Sequence, residues 1–395
     1  MKISPPLAIY SLGGMLRQQG YDVTIRDPKE VREYYYDTWD EAGVDRFIAG
    51  FDLIGISTNT FNWGIAKEFI DIVKSKHNSP VIVAGGVHAS LFHEYISKNS
   101  EVDFVVREDG EEALLRIVQA IEKGFSFDDI PNITFKKNGQ LKINPINQEV
   151  ALPDYPTAYD LIPDNYYYSI PVETSRGCPF HCAFCAILYL GKWRSLNAEK
   201  AIDRFLNTFS YVKNKSTAAS LLFTDDEFCI NSERAKRIFH RLENIKQKFH
   251  IHFTARISDF LRDPELAAAI PKSKVSTIQM GLESGYEEGM QRIKQGLNFE
   301  QVDRVFRLLN EHDVSKYCLV SFIVGFPWER YSDCVKTIEY ALHIEEKYRV
   351  ITTVNWWMPL KSELWDEQAA GGFYIGHDLY DNPLWPTNEE MLNIV

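Results

Sequence analysis

Three cysteines, Cys178, Cys182 and Cys185, fall within eight residues at the spacing C-x3-C-x2-C. They follow an extended stretch, 170–175, in a loop that contains Gly177 and Pro179. Thiolates are soft ligands that suit iron–sulfur clusters and zinc. A 4Fe-4S cubane ordinarily takes four cysteines. The other cysteines, Cys229, Cys318 and Cys334, are scattered. A cubane held by three thiolates keeps one iron open to a small molecule. Two plainer readings stand beside this one: buried structural cysteines, and zinc with His181 as a fourth ligand. His181 adjoins Cys182, so both reach one tetrahedral metal only with difficulty.

The elements that must position this loop are legible around it. Strand patterns recur at 170–175, 220–224, 250–255, 277–281, 316–325 and 350–355, each followed by a helical pattern or a long connection. Ala235, Ile238, Phe239 and Leu242 share one helical face, as do Val302, Val305, Phe306 and Leu309, and later Val335, Ile338 and Leu342. Such units are too few for a full eight-fold barrel. In β/α barrels function collects where strands end. Those positions carry Asp225 and Asp226, then Arg256, then Glu283 and Ser284, then Gly325. Each has a plain alternative: a helix-entry cap for the aspartates, a salt bridge for Arg256. Arg194 defaults to surface charge.

The cysteine spacing, with Arg176-Gly177 and Pro179-Phe180, resembles the radical S-adenosylmethionine (SAM) superfamily. The resemblance covers almost all of the second segment and implies a partial (β/α)6 TIM-type barrel. It implies a 4Fe-4S cluster on Cys178, Cys182 and Cys185, whose open iron chelates SAM and whose electron cleaves it to a 5′-deoxyadenosyl radical. Asp225 and Asp226 match the position that holds the SAM ammonium. Arg256 suits the SAM carboxylate, because a guanidinium binds carboxylate bidentately. Gly281-Leu282-Glu283-Ser284-Gly285 matches the family's Gly-x-Glu-Ser-Gly, so Glu283 is expected at the ribose hydroxyls and Ser284 beside it. Phe322–Glu329 resembles the adenine-side motif, with Trp328 and Arg330 in place of Gly and Thr; Gly325 allows close backbone approach. Phe184 joins the SAM candidates from within the cysteine loop.

The first segment alternates strand and helix periods, which suggests a parallel sheet with flanking helices. Helices are expected at 7–19 and 111–122 and strands at 22–26, 51–57, 80–84 and 102–106. The turns after the strands carry Ser57-Thr58, Gly85-Gly86-Val87-His88 and Glu108-Asp109-Gly110. In open α/β sheets ligands bind at such carboxyl ends. These loops resemble the flavodoxin/Rossmann-like cobalamin-binding domain fused to many radical SAM enzymes. By that resemblance Ser57, Thr58, Gly85, Gly86, His88 and Glu108 are cobalamin contacts. There are two departures: the first strand is missing or shortened, since only residues 1–4 precede Pro5-Pro6, and the Asp-x-His-x-x-Gly signature is absent.

The expected organisation is α/β throughout: a cobalamin-binding-like domain over 1–122, a linker with a hairpin at Asn138-Gly139 over 123–168, the barrel over 169–360, and a tail over 361–395. The late aromatics Trp365, Phe373, Tyr374 and Trp385 are expected to pack, or to close the barrel's open side. Charged residues are 25% of the chain and hydrophobic residues 45%, as in an ordinary globular protein. A net charge of −12 argues against a nucleic-acid substrate. No apolar run approaches the ~18 residues of a membrane span. Cytoplasmic residence is the expectation, because an oxygen-labile cluster needs reducing surroundings.

Taken together, the resemblance implies a radical SAM enzyme, expected to be a cobalamin-dependent methyltransferase. It would act on an unactivated carbon of a small metabolite, natural product or peptide, with a flavodoxin or ferredoxin as electron donor. The alternative is a radical SAM lyase, oxidoreductase or epimerase with an empty N-terminal domain. In that case Cys229 is the candidate hydrogen donor. A corrinoid or iron–sulfur sensor is a non-enzymatic rival.

Overall fold

The computed structural model describes residues 4–26, 39–147, 151–187, 192–293, 296–358 and 360–364. The described residues divide into two compact units, one over Pro6–Leu161 and one over 4–5 and 162–364.

In the first unit, β1 (Leu53–Ser57), β2 (Val81–Gly85) and β3 (Phe104–Val106) run parallel in that order. Antiparallel β4 (Ile133–Lys137) and β5 (Gln140–Ile143) extend the sheet. The helices are α1 (Leu7–Gln18), α2 (Glu41–Ile48), α3 (Trp63–Lys74), α4 (Val87–Asn99) and α5 (Glu111–Lys123). Two apolar clusters cover the two sheet faces. Phe69, Ile70, Val73, Ile82 and Ala84 lie in one, and Val83, Phe104, Leu114 and Ile117 in the other. β2 contributes to both because successive side chains of a strand point to opposite faces.

Two expectations change here. Residues 21–26 form no strand; Val23 and Ile25 instead pack beside Gly13 of α1. The hairpin at Asn138 (φ 52°) and Gly139 (φ 77°) forms, but it belongs to the first unit's sheet rather than to a connector. Asn144 fastens it there, donating to the Phe127 and Ile130 carbonyls at 2.9 and 2.8 Å. Among the described residues the first element is α1.

The second unit holds six parallel strands whose spatial order follows the chain. They are β6 (Tyr167–Val172), β9 (Ser216–Phe223), β10 (His250–Thr254), β11 (Val275–Glu283), β12 (Cys318–Val324) and β13 (Ile351–Trp356). A two-stranded ribbon, β7 (Ser175–Arg176) with β8 (Arg194–Ser195), brackets the cysteine loop. Helices α6 (Ala198–Lys215), α7 (Ser232–Glu243), α8 (Ile257–Arg262), α9 (Glu265–Ala269), α10 (Glu287–Ile293), α11 (Phe299–Glu311) and α12 (Tyr331–Tyr348) fill the crossovers. This is the partial barrel that the sequence implies.

Its strands alternate. Phe253, Met280 and Phe322 are buried against the helices, with Phe239 of α7 centred 5.1 Å from Phe253. On the other face His252, Thr254, Gln279 and Ser321 are half-buried or exposed. The expected apolar faces of α7 and α11 are buried. That of α12 differs: Cys334, Thr337, Ala341, Ile344 and Tyr348 turn inward, and Leu342 is exposed. Small residues win that stripe because Gly285 approaches closely there. A Cβ on Gly285 would sit 2.5 Å from the Thr337 Cα. No described helix is long and apolar enough to cross a membrane. The expectations for Trp365, Phe373, Tyr374 and Trp385 fall outside the described residues.

Candidate active site

The cysteine loop leaves the barrel just after β6, and the end of β9 anchors its entrance. Asp225 is fully enclosed. Its Oδ1 accepts the Thr174 amide at 2.6 Å, and its Oδ2 accepts the Thr174 and Ser175 hydroxyls at 2.6 Å each. Arg234 of α7 lies 3.8 Å away, itself buried, and donates to the Leu196 and Thr174 carbonyls. Asp226 continues the clamp by accepting the Gly177 amide at 2.7 Å. Burial raises the pKa of both aspartates, and the Arg234 charge and the hydrogen bonds work against that rise for Asp225. The resemblance puts Asp225 at SAM; in the structure both of its oxygens are taken by Thr174 and Ser175 at the loop entrance.

Within the loop, the Cys185 amide donates to the Cys182 carbonyl at 2.9 Å. Arg256 reaches in from the end of β10. Its guanidinium stacks 3.8 Å over the Phe180 ring and donates to Cys182 Sγ at 3.5 Å. Burial pushes the Cys178 thiol up to about 11, so a metal binding there must displace its proton. Among the described residues no three His, Cys, Asp or Glu side chains are gathered closely enough to hold a metal ion. The donor set nevertheless suits a cluster: three soft thiols share one short loop, with a cation alongside to offset their charge.

A buried carboxyl pair lies beside Arg256. Asp259 accepts the Arg256 amide at 3.0 Å and the Arg262 guanidinium at 2.8 Å. Glu227 is 2% exposed, and its Oε1 is enclosed without a hydrogen-bond partner. Burial first, and the Asp259 charge second, raise its pKa well above the usual carboxyl range. The Asp259 carboxyl hydrogen-bonds the Glu227 carboxyl, so the two form one enclosed pair beside Arg256. Sequence reasoning missed Glu227. The signal was available in its position two residues after Asp225, on the inward side of a strand end. Cys229, the hydrogen-donor candidate, is fully buried, and burial holds its thiol protonated.

The ends of β11 and β12 both adopt left-handed backbone. Glu283 sits at φ 72° after a bulge between Gly281 and Glu283, and is 7% exposed. Ser284 beside it is fully buried. A non-glycine residue in this region is uncommon and marks a constrained site. Gly325 has φ 81°, and a Cβ there would meet the Trp356 indole at 2.7 Å. Glu329 Oε2 accepts the amides of Gly325 and Phe326 at 2.6 and 3.0 Å. Phe184 reaches this corner from the cysteine loop, its ring centred 6.1 Å from Phe326. The barrel's candidates therefore gather at one end of one sheet, with Asp225, Cys229 and Ser284 enclosed.

In the first unit the expected contacts lie at the ends of β1, β2 and β3. Thr58 donates to the Gly85 carbonyl from its amide (2.7 Å) and its hydroxyl (2.9 Å). Gly86 has φ 100°, with room for no Cβ, since Thr58 O would lie at 2.5 Å. At Gly85 a Cβ would meet only Val106 O at 3.9 Å, so that backbone is open to a flat ligand. Ser57 is exposed, and Glu108 (φ 57°) donates its amide to Ser90 Oγ. His88 does not face outward as expected. It is fully buried between the rings of Trp63 (5.3 Å) and Phe92 (4.7 Å), with Thr60 Oγ1 3.4 Å from Nδ1. An aromatic cage holds it in the core.

A six-strand parallel sheet with a three-cysteine loop after its first strand defines a barrel enzyme built around a thiolate-bound cofactor. Residues 172–341 match the Radical SAM superfamily, and residues 2–118 match the B12 binding domain. The chain is a radical SAM enzyme that carries a B12-binding domain, and the cofactors of these families are a 4Fe-4S cluster, SAM and cobalamin. It is 28% identical over 366 residues to an uncharacterized methyltransferase of Pyrococcus horikoshii, covering 88% of this chain and 75% of the relative. It is 23% identical to an anaerobic magnesium-protoporphyrin IX monomethyl ester cyclase of Synechocystis, covering 86% and 68%. The fold superposes on the cobalamin-dependent radical SAM enzyme OxsB, solved with aqua-cobalamin and SAM, at TM-score 0.71 and 18% identity. That match covers 86% of this chain and 50% of the OxsB chain.

Proposed function

We propose that this chain is a cobalamin-dependent radical SAM methyltransferase acting on an unactivated carbon of a small molecule or peptide. The observation that carries the reading is the pairing of two families' sites in one chain: the cysteine loop on the barrel, and the open glycine backbone at the ends of β1 and β2. The methyltransferase name of the Pyrococcus relative supports it.

When bound, the cluster supplies the electron for reductive cleavage of SAM, and cobalamin supplies a methyl carrier. Cys178, Cys182 and Cys185 would hold the cluster. Asp225 and Arg234 fix the strand end from which the loop departs. Arg256 offsets thiolate charge and is placed to meet the SAM carboxylate. Glu227 and Asp226 offer acceptors to the ammonium. Glu283 serves the ribose hydroxyls, and Gly325 the adenine. His252, Thr254, Gln279 and Ser321 on the helix-free sheet face suit a substrate recognised through hydrogen bonds rather than ion pairs. A flavodoxin or ferredoxin would deliver electrons, in a reducing cytoplasm.

The test is anaerobic reconstitution with iron, sulfide and hydroxocobalamin, followed by turnover with methyl-deuterated SAM. The expected results are a corrinoid spectrum that survives gel filtration, 5′-deoxyadenosine, and a product three mass units heavier. A protein that forms 5′-deoxyadenosine but retains no corrinoid is instead a lyase, oxidoreductase or epimerase. The enclosure of Cys229 speaks against its use as the hydrogen donor in such an enzyme.

A further inference from the structure

The two strand ends assigned to the SAM nucleoside are each fastened to their own surroundings. The loop after β11 is held by Gly285, whose amide donates to Thr337 Oγ1 at 3.1 Å. The loop after β12 is held by Glu329 through the Gly325 and Phe326 amides. Tyr286 joins the two: its hydroxyl meets the Glu329 carboxyl and also the Trp328 indole. Trp328 Nε1 donates to the Tyr286 hydroxyl at 3.1 Å. Tyr286 lies three residues beyond Glu283, and Trp328 three beyond Gly325.

Trp328 is itself held on both sides. Its ring stacks on Phe326 at 4.9 Å, with planes 3° apart, and the Arg292 guanidinium lies 4.9 Å from its centroid. Phe326 belongs to an apolar cluster with Ala183, Ile293, Trp357 and Leu364, against which Phe184 and Trp328 pack. The link therefore reaches from the cysteine loop, through Phe326 and Trp328, to the end of β11. Glu283 and Gly325 both occupy left-handed backbone, where a small shift of either loop changes where an amide or carboxylate points.

We propose that Trp328 and Tyr286 form a positioning brace that sets the separation of Glu283 and Gly325, and thereby the affinity of the barrel for the nucleoside of SAM. This rests on the reading that SAM lies at these strand ends. The brace touches neither the reacting bond nor the cluster. Its effect falls on ground-state binding, so it appears in KM for SAM and leaves kcat nearly unchanged.

The experiment uses the full chain, anaerobically reconstituted, with SAM as the calorimetric probe and no reductant. Trp328→Phe keeps an aromatic ring and removes the N–H donor. Tyr286→Phe removes one hydroxyl. Each is expected to weaken SAM binding by about 3- to 10-fold, as loss of one directed hydrogen bond should. The double variant is expected to be no weaker than Tyr286→Phe, which loses the Glu329 contact too, because Trp328→Phe removes only a link that Tyr286→Phe has already broken. With reductant, KM for SAM in 5′-deoxyadenosine formation should rise by the same factor while kcat stays within about twofold. Wild-type affinity in both single variants, or losses that add in the double, overturns the brace. A lowered melting temperature with unchanged affinity makes the link merely structural and overturns it too. If Trp328→Phe does not fold, Tyr286→Phe carries the test alone. Failure of the wild-type protein to bind SAM instead removes the reading on which the brace rests.

Discussion

The two units are both built on parallel strands with loops at their carboxyl ends, yet those ends are finished differently. In the first unit the loop polar groups are answered locally by backbone. Thr58 spends its amide and hydroxyl on Gly85 O, and His88 is closed between two aromatic rings. In the second unit the loops are tied by charge: Asp225 with buried Arg234, enclosed Asp259 with a half-exposed Arg262, and buried Glu227 beside Asp259. A face made of backbone and glycine suits a broad, flat ligand bound by surface contact. A face made of enclosed carboxylates and guanidinium suits a small charged ligand held at points. The contrast matches the two families that the units resemble.

The contrast can be broken most sharply at the cysteines. Replacing Cys178, Cys182 or Cys185 with Ala is expected to abolish the cluster's visible absorption and all 5′-deoxyadenosine, while leaving hydroxocobalamin binding intact. Iron analysis and gel filtration check both halves. Next in size is Asp225→Ala, which strands the Arg234 charge in the interior. A loss of about 3–5 kcal/mol follows for a broken buried pair, read as a fall in the urea midpoint. Asp226→Asn, which keeps an acceptor for the Gly177 amide, should cost far less.

A smaller effect is expected at Gly86→Ala, where a positive φ and Thr58 O both oppose a side chain. Backbone strain of about 1–3 kcal/mol is anticipated, together with weaker retention of hydroxocobalamin and unchanged iron content. Equal loss of iron would show that the two units do not separate as described. His88→Leu is expected to lower the melting temperature without altering the EPR spectrum of added cob(II)alamin, because a histidine caged in the core would not reach the cobalt. A changed axial signature would sink that view.

The smallest effect concerns pH. Glu227 is held well above the ordinary carboxyl range by burial and by Asp259. Between its ordinary and folded values, the folded chain binds more protons than the unfolded chain, so stability declines as pH rises through that window. Glu227→Gln should flatten the decline in a series of urea midpoints. An unchanged slope would assign the dependence to another group.

Much of this was legible in the chain. The strand-to-helix alternation of 220–355 marks the barrel because short apolar runs recur, with helical spacing between them. The cysteine spacing marks the loop because ligand type and reach are local properties. The site was only partly legible. Asp225 and Asp226 look alike in sequence, and only the path of 174–177 decides that one is consumed by Thr174 and Ser175. Residues 22–26 carry a strand-like pattern, yet Val23 and Ile25 find their apolar partner at Gly13 of α1 and no ladder forms.

The sequence by itself determined the loop that offers three thiols, the six strands in their order, and the glycine turns of the first sheet. Each of those depends on neighbours in the chain. The tertiary structure alone decided which polar residues face a ligand. It closed His88 into the core, turned Asp225 toward the loop it anchors, set Glu227 beside Asp259, and joined Trp328 to Tyr286. Those outcomes depend on which groups from distant strands arrive beside each one, and burial then sets whether each is satisfied within the fold or left for a ligand.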